Sequence, residues 1–240
     1  MRTLVIADIG ACHDGDWLRM NAAVRAAAAA GCDQIKFQWV SDPREMAQRR
    51  GRAAQDGYAE IYRRYLSWPA AWHAQLSAFC KEQNIGYMCT TFLPQDIAVV
   101  APYVSHFKVA SFEAGDTFFL SKHVGYGKQT IVSTGMMSAE DIGRMACCLP
   151  NMKLLRCVSS YPAPAKAMHL VRLWNRFDPD ENRAWCFTGL SDHSDPDLTW
   201  TGALAVAASA QIVEAHLRLD DTKKSNPDYL HAMTPQQFTE

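Results

Sequence analysis

The feature that most constrains this chain is an alternation along its whole length of short β-branched or apolar runs with longer stretches of helical pattern. Parallel βαβ units read this way, whereas sandwiches and helix bundles do not. Strand-like runs fall at 4–9, 34–38, 86–90, 106–111, 130–133, 153–158, 185–190 and 211–216. Helical pattern falls at 18–30, 69–84, 95–101, 118–124, 139–148, 166–177 and 197–208. Eight strands with intervening helices in 240 residues predict one (β/α)₈ TIM barrel spanning residues 1–240. A chain of this size buries roughly 70–75% of its unfolded surface in a single core.

Local signals sharpen several boundaries. Ser138 ahead of Glu140 and Asp141 predicts a capped helix start, and Ser67 shortly before Pro69 suggests another. Asp14-Gly15-Asp16 reads as a turn followed by a cap. The stretch 40–66, with Arg44, Arg49, Arg50 and Arg52, reads as a long loop after the second strand, on the face where barrels place chemistry. Beyond the eighth strand about 24 residues remain, and Thr234-Pro235 opens a helix that stops at once. A short or missing eighth helix leaves apolar barrel surface beside the last and first strands. A folded-back tail or a second subunit is expected to cover it, which predicts a homo-oligomer, a dimer, or a partner subunit.

Composition narrows the function classes. No apolar run approaches the roughly 20 residues that span a bilayer, and residues 1–9 lack a signal-peptide core, so a cytoplasmic protein without membrane contact is expected. The net charge of −1 gives no general attraction to nucleic acid. The eight cysteines show no CxxC pair and no disulfide-scaffold spacing, and most are expected to be reduced and buried.

Strand bodies in a barrel pack as apolar residues, so polar residues at strand C-termini mark a site. Here those ends carry Asp8 and His13, Lys36 and Gln38, Thr90, Lys108, Ser111 and Glu113, Ser133, Thr134 and Gly135, Ser159, Ser191 and His193, and Glu214 and His216. Lys36 with Gln38, and Glu214 with His216, share strand faces by the period of two. Two inward lysines need compensating anions; Ser111, Ser133, Thr134, Ser191 and the Gly135 amide would complete a phosphate and carboxylate cradle. Each lysine alone also fits a snorkelling stem at a strand end. His193 and His216, at the ends of adjacent strands, suit one divalent ion with open positions, or two structural imidazoles. Glu113 fits either a proton donor or acceptor over the pocket mouth or a surface carboxylate, and Asp8 and His13 fit either the site or the capping of the first loop.

The segments IADIGACHDGD, IKFQ, CTTF, FKVASFE, STGMMS, CVSSYPAP, GLSDHS, VEAHLRLD and NPD, collinear and each at or after a strand end, resemble the sialic acid synthase (N-acetylneuraminate synthase) family. That resemblance implies condensation of phosphoenolpyruvate with an aldose such as N-acetylmannosamine, giving a 2-keto-3-deoxy sugar acid and phosphate. It implies that His193 and His216 hold Mn²⁺ or Mg²⁺, and that Lys36, Thr90, Lys108, Ser111, Ser133, Ser159 and Ser191 line the phosphoenolpyruvate site. Glu113 would handle protons at the tetrahedral intermediate, with Asp8 as a further catalytic carboxylate; Gln38 would position water, and Asp228 would bind sugar hydroxyls. Asp8 stands where the family has glutamate, Ser159 where asparagine is usual, and Cys12 and Asp14 where asparagines are common, changes expected to shift sugar preference. Typical members continue into a C-terminal antifreeze-like domain for which these 240 residues leave no room. A catalytically altered barrel acting as a partner-binding scaffold is the alternative, and a metal-dependent aldolase or isomerase ranks behind both.

Overall fold

A computed structural model describes residues 2–52, 57–149, 151–174 and 186–240. Eight parallel strands close into a barrel in sequence order: β1 (Leu4–Asp8), β2 (Gln34–Trp39), β3 (Gly86–Thr91), β4 (His106–Val109), β5 (Gln129–Ser133), β6 (Lys153–Cys157), β7 (Gly189–Asp192) and β8 (Ile212–His216). Pairing of β8 with β1, from Leu4 opposite Ile212 to Asp8 opposite His216, closes the cylinder. The helices are α1 (Trp17–Ala29), α2 (Pro43–Arg49), α3 (Tyr58–Leu66), α4 (Trp72–Glu82), α5 (Pro94–Val100), α6 (Thr117–Val124), α7 (Ala139–Cys148), α8 (Val171–Trp174) and α9 (Trp200–Ala207). Among the described residues no helix is long and apolar enough to cross a membrane.

The period of two sorts each strand into an outer and an inner set. Outward residues such as Ala7, Ile35, Phe37, Tyr87, Phe107, Val132 and Leu154 pack against Met20, Val24, Leu76, Ile97, Phe119 and Ile142 of the helices to form the main core. Each fully buried side chain of this size contributes about 1.5–3 kcal/mol. Inside the barrel, Ile6, Met88, Ile131, Leu155 and Ile212 make one apolar layer. Two residues further along the same inward faces stand Asp8, Thr90, Ser133, Cys157 and Glu214. The floor of the barrel is therefore apolar and its C-terminal mouth polar.

The caps at Asp16 and Ser138 form as expected, accepting from the Arg19 and Asp141 amides at 2.9 and 3.1 Å. Ser67 starts no helix but stands at the C-terminal cap of α3, and α4 starts only at Trp72, after Ala71. The stretch read as a loop at 40–66 instead holds two helices. Asp42 caps α2, with Pro43 at its first turn, and α3 turns Tyr62, Tyr65 and Leu66 inward onto Met46 and Phe92. The helix expected at 166–177 is broken into a 3₁₀ turn, Ala165–Ala167, and α8, and its residues 175–177 lie outside the described residues. The Arg156 guanidinium takes the carbonyls of Ala167 and Met168, both at 3.2 Å, and His169 between the two pieces has φ of 45°, so helical bonding cannot run through. The seventh strand begins later than its expected start at 185, itself outside the described residues, and runs on to Asp192.

After β8 the described residues hold a 3₁₀ turn, Gln237–Thr239, and no α-helix. The tail folds back over the gap beside β8 and β1, as one branch of the expectation had it. Met233 donates to the His216 carbonyl at 2.8 Å, and Leu217, Leu219, Ala232 and Phe238 join the main core.

Close approach of β7 to β8 depends on Gly189, because a Cβ there would run into the Ile212 carbonyl. Gly202 in α9 has only ordinary contact, with Val213 Cγ1 at 3.7 Å. Gly189→Ala is expected to lose about 1–3 kcal/mol or more, while Gly202→Ala gains about 0.5–1 kcal/mol. Urea unfolding of both variants checks the contrast, and equal midpoints would contradict it.

Candidate active site

The inner faces of the strands deliver their polar residues to one opening, a cavity of about 460 Å³ at the C-terminal mouth. Its wall includes Asp8, Gln38, Lys36, Lys108, Ser111, Ser133, Ser159, Ser191, Glu214, both His193 and His216, and Asp228. The two lysines and two histidines thus face the same space.

Four charges form its base, each between 1 and 3% exposed. Lys36 Nζ lies 2.6 Å from Asp8 Oδ2 and 3.7 Å from Glu214 Oε2, and Lys108 Nζ lies 3.3 Å from Glu214 Oε1. Asp8, Lys36, Glu214 and Lys108 therefore alternate in sign. Ser191 donates to Glu214 Oε1 at 2.9 Å, and Lys108 donates to Ser133 Oγ at 2.8 Å. The anions that the lysines require are thus already supplied by two carboxylates of the chain, Asp8 and Glu214, both at strand ends.

These contacts set the ionisation of the site. Burial opposes the charge on Asp8, yet Lys36 and His216 hold its carboxyl below the usual range. Burial likewise opposes ionisation of Glu214, and Lys108 and Lys36 hold its pKa low. Burial works against Lys36, but Asp8 and Glu214 raise it above an ordinary lysine. Lys108 moves the other way: burial lowers it, and Glu214 on one side is offset in part by Lys36. It is the more weakly held proton of the two.

The imidazole side is built from β7, β8 and the tail. The His193 and His216 rings stand 5.3 Å apart. His193 Nδ1 lies 3.0 Å from the Val158 carbonyl, which orients the ring. Beside it, Cys157 is pushed up by burial but brought down to about 7 by its contact with His193 and by Ser111 and Lys108. His216 sits between two carboxylates, Nε2 3.5 Å from Asp8 and Nδ1 3.6 Å from Asp228. Asp228 is fixed by the Ala11 amide at 2.6 Å. Gly10, with φ of 47°, makes room for it, since a Cβ there would strike Asp228 Oδ2.

Other expected residues land differently. Thr90 is buried 3.5 Å from Lys36 Nζ and is not on the cavity wall. Thr134 Oγ1 donates to the Leu155 carbonyl instead of joining an anion cradle, and the Gly135 amide donates to Ser111 Oγ. Gln38 points its amide at Asp8 Oδ2, 3.1 Å away. His13 settles as a loop residue, its Nδ1 accepting from the Gly15 amide at 3.0 Å. Glu113 also lies off the cavity wall. Its Oε1 accepts from Arg50 Nε and Nη2 at 2.9 and 2.6 Å, and burial raises its pKa against the pull of Arg50. Arg50, boxed by the Tyr62, Phe92 and Phe112 rings at 4.7–5.6 Å, is the group presented to the cavity. Sequence reasoning also missed Tyr161 and His231. The Tyr161 ring packs 4.4 Å from His193 and 4.9 Å from His231, and only the fold brings these three together.

A closed parallel barrel with buried acids, bases and imidazoles converging at its C-terminal mouth defines a TIM-barrel enzyme. The chain belongs to the NeuB family, whose model matches residues 23–240, and it is a sialic acid synthase-like enzyme of the class that forms carbon–carbon bonds. It is 30% identical to the pseudaminic acid synthase of Campylobacter jejuni over 93% of this chain and 67% of that protein. It is 25% identical to the N-acetylneuraminate-9-phosphate synthase of Drosophila melanogaster, over 98% of this chain and 64% of that one. The solved N-acetylneuraminic acid synthetase of Leptospira borgpetersenii superposes with a TM-score of 0.85 at 24% identity, over 100% of this chain and 81% of that chain, which supports the fold.

Stability should report the carboxylates of the site directly. Groups whose folded pKa is depressed stabilise fully above the unfolded value, about pH 4, and lose that contribution as pH falls toward the folded value. Asp8 and Glu214 both belong to this class. The unfolding free energy is expected to drop more steeply between about pH 5 and pH 3 in wild type than in Glu214→Gln. Identical acid slopes would exclude Glu214 from the linkage.

Proposed function

We propose that this chain condenses phosphoenolpyruvate with an N-acetylmannosamine-like aldose to a 2-keto-3-deoxy sugar acid, releasing phosphate. The observation that carries the reading is that two buried lysines, the Ser111, Ser133, Ser159 and Ser191 hydroxyls, and His193, His216 and Asp228 all line one cavity. The lysines and hydroxyls suit a small acid bearing phosphate and carboxylate, and the imidazoles with Asp228 suit a polyhydroxylated aldehyde. Family membership supports the same reading.

The donor set fits a divalent cation such as Mn²⁺ or Mg²⁺ at His193 and His216. His216 Nδ1 is buried without a hydrogen-bond partner among the described residues, and the carbonyl contact that orients His193 is made through its Nδ1. A cation held there supplies Lewis acidity to a carbonyl oxygen.

The remaining work falls to the chain. Lys36 and Lys108 bind the anionic groups, with Lys108, the weaker base, able to give up its proton to a leaving phosphate oxygen. Asp8 replaces Glu113 as the carboxylate that handles protons at the reacting carbon, because Asp8 faces the cavity whereas Glu113 is committed to Arg50. Glu113 positions Arg50, and Gln38 steadies Asp8 and is placed to orient water beside it. Asp228 and Arg50 face the region left for the sugar.

Phosphate release from phosphoenolpyruvate is expected only when both a divalent cation and a suitable aldose are present. Lys108→Met should lower kcat/KM about 100-fold, ~2.7 kcal/mol of transition-state stabilisation. Binding of phosphoenolpyruvate and cation with no phosphate release across a panel of hexosamine and deoxyhexosamine aldoses would overturn the synthase reading.

A further inference from the structure

His231 is a third imidazole at the mouth of the barrel. Its ring centroid lies 4.5 Å from that of His216 and 6.1 Å from that of His193. It is 4% exposed, and neither of its nitrogens has a hydrogen-bond partner among the described residues. A buried imidazole with both nitrogens idle forfeits hydrogen bonds that water would have supplied, a cost of about 1–3 kcal/mol per group. A buried polar group without a partner calls for an explanation, and a bound ion is one.

The segment carrying it is firmly held. Asp228, three residues earlier, is bonded to the Ala11 amide, and Asn226 is bonded to the Ala11 carbonyl at 2.9 Å. On the other side, the Met233 amide is tied to the His216 carbonyl, and Arg218 Nε donates to the Ala232 carbonyl at 3.0 Å. Between these staples, His231 Nε2 comes to 3.8 Å from Asp228 Oδ1. One ligand atom each from His216, Asp228 and His231 lies within 4.8 Å of the others. Ligands bonded to one ion at about 2.0–2.2 Å stand about 3–4 Å apart, so small side-chain movements close the set.

We propose that His231 is a third imidazole ligand of the cation, which with His193, His216 and the Asp228 carboxylate forms a nitrogen-rich set that favours cobalt, nickel or zinc over magnesium. This rests on the reading of His193 and His216 as metal ligands and deepens it. Imidazole nitrogen suits late first-row metals, whereas magnesium prefers oxygen and near-octahedral hydration. Exchanging an oxygen position for a third nitrogen therefore changes which ion the site retains. Tyr161 packs tilted against His193 and edge-on against His231, so one aromatic ring contacts both imidazoles.

The test is binding of Co²⁺ and Mg²⁺ to the metal-stripped chain, read by calorimetry and by the visible absorption of Co²⁺, in wild type, His231→Ala, His231→Gln, His193→Ala and His216→Ala. Circular dichroism establishes that each variant is folded, and His231→Gln keeps most of the side-chain volume should the alanine variant not fold. Wild type is expected to bind Co²⁺ at least about 100-fold more tightly than Mg²⁺. The His231 variants are expected to lose about 10- to 100-fold in Co²⁺ affinity, with an altered Co²⁺ spectrum and little change toward Mg²⁺. Wild-type Co²⁺ affinity and spectrum in a folded His231 variant, alongside losses in His193→Ala and His216→Ala, would overturn this inference alone. Unchanged binding in all the variants, or no binding to wild type, would overturn the two-histidine reading as well.

Discussion

Four charged groups buried side by side at the mouth of a barrel are tolerable only if their signs alternate. An isolated buried ion costs several kcal/mol even after the surroundings relax. In the order Asp8, Lys36, Glu214, Lys108 every charge has an opposite neighbour within 3.7 Å. That arrangement depends on β1, β2, β4 and β8 presenting these side chains inward at one height. A slip of one residue in any of these strands would turn its charge into the apolar layer between barrel and helices. The register of the barrel and the electrostatics of its mouth are thus one constraint.

The same network explains why the site is reactive ground. A fully neutralised set of buried ions adds little to stability and is often no better than well-packed apolar residues. Its value lies in preorganisation: ammonium groups are fixed in place before a substrate arrives, and their counter-charges are carboxylates able to exchange protons. Serines complete the charged network at the mouth because a hydroxyl both donates and accepts, so Ser191 and Ser133 serve Glu214 and Lys108 respectively. The imidazole wall is assembled by different means. His193 and His216 come from strand ends, but Asp228 and His231 come from a tail that is held to the first βα loop by the Asp228 and Asn226 side chains and to the end of β8 by backbone hydrogen bonds.

Much of this was legible in the residues. Seven of the eight strands begin within a residue of where apolar runs place them, and the polar strand ends converge as the two-residue period requires. Less legible were segments whose conformation is set by distant partners. The helix expected through residues 166–177 is interrupted because Arg156 on β6 captures its carbonyls. The stretch 40–66 looked like a loop because its arginines obscure the apolar faces of α2 and α3, although Asp42-Pro43 is a start signal that could have been read. Glu113 looked like a mouth carboxylate by its distance along the chain from Lys108, and Arg50, some sixty residues earlier, draws it off the cavity wall.

By itself, then, the sequence determined the barrel class, the inward set of each strand and the chemical types at the mouth, because these follow from local periodicity and the need to bury apolar faces. Which groups pair, and which are left free, only the tertiary structure decided. Glu214 bridges two lysines, Glu113 serves Arg50, and His231 arrives beside His216 because the tail crosses the gap beyond β8. Such pairings arise between residues far apart in the chain, where spacing carries no information and only the closed geometry of the barrel sets the distance.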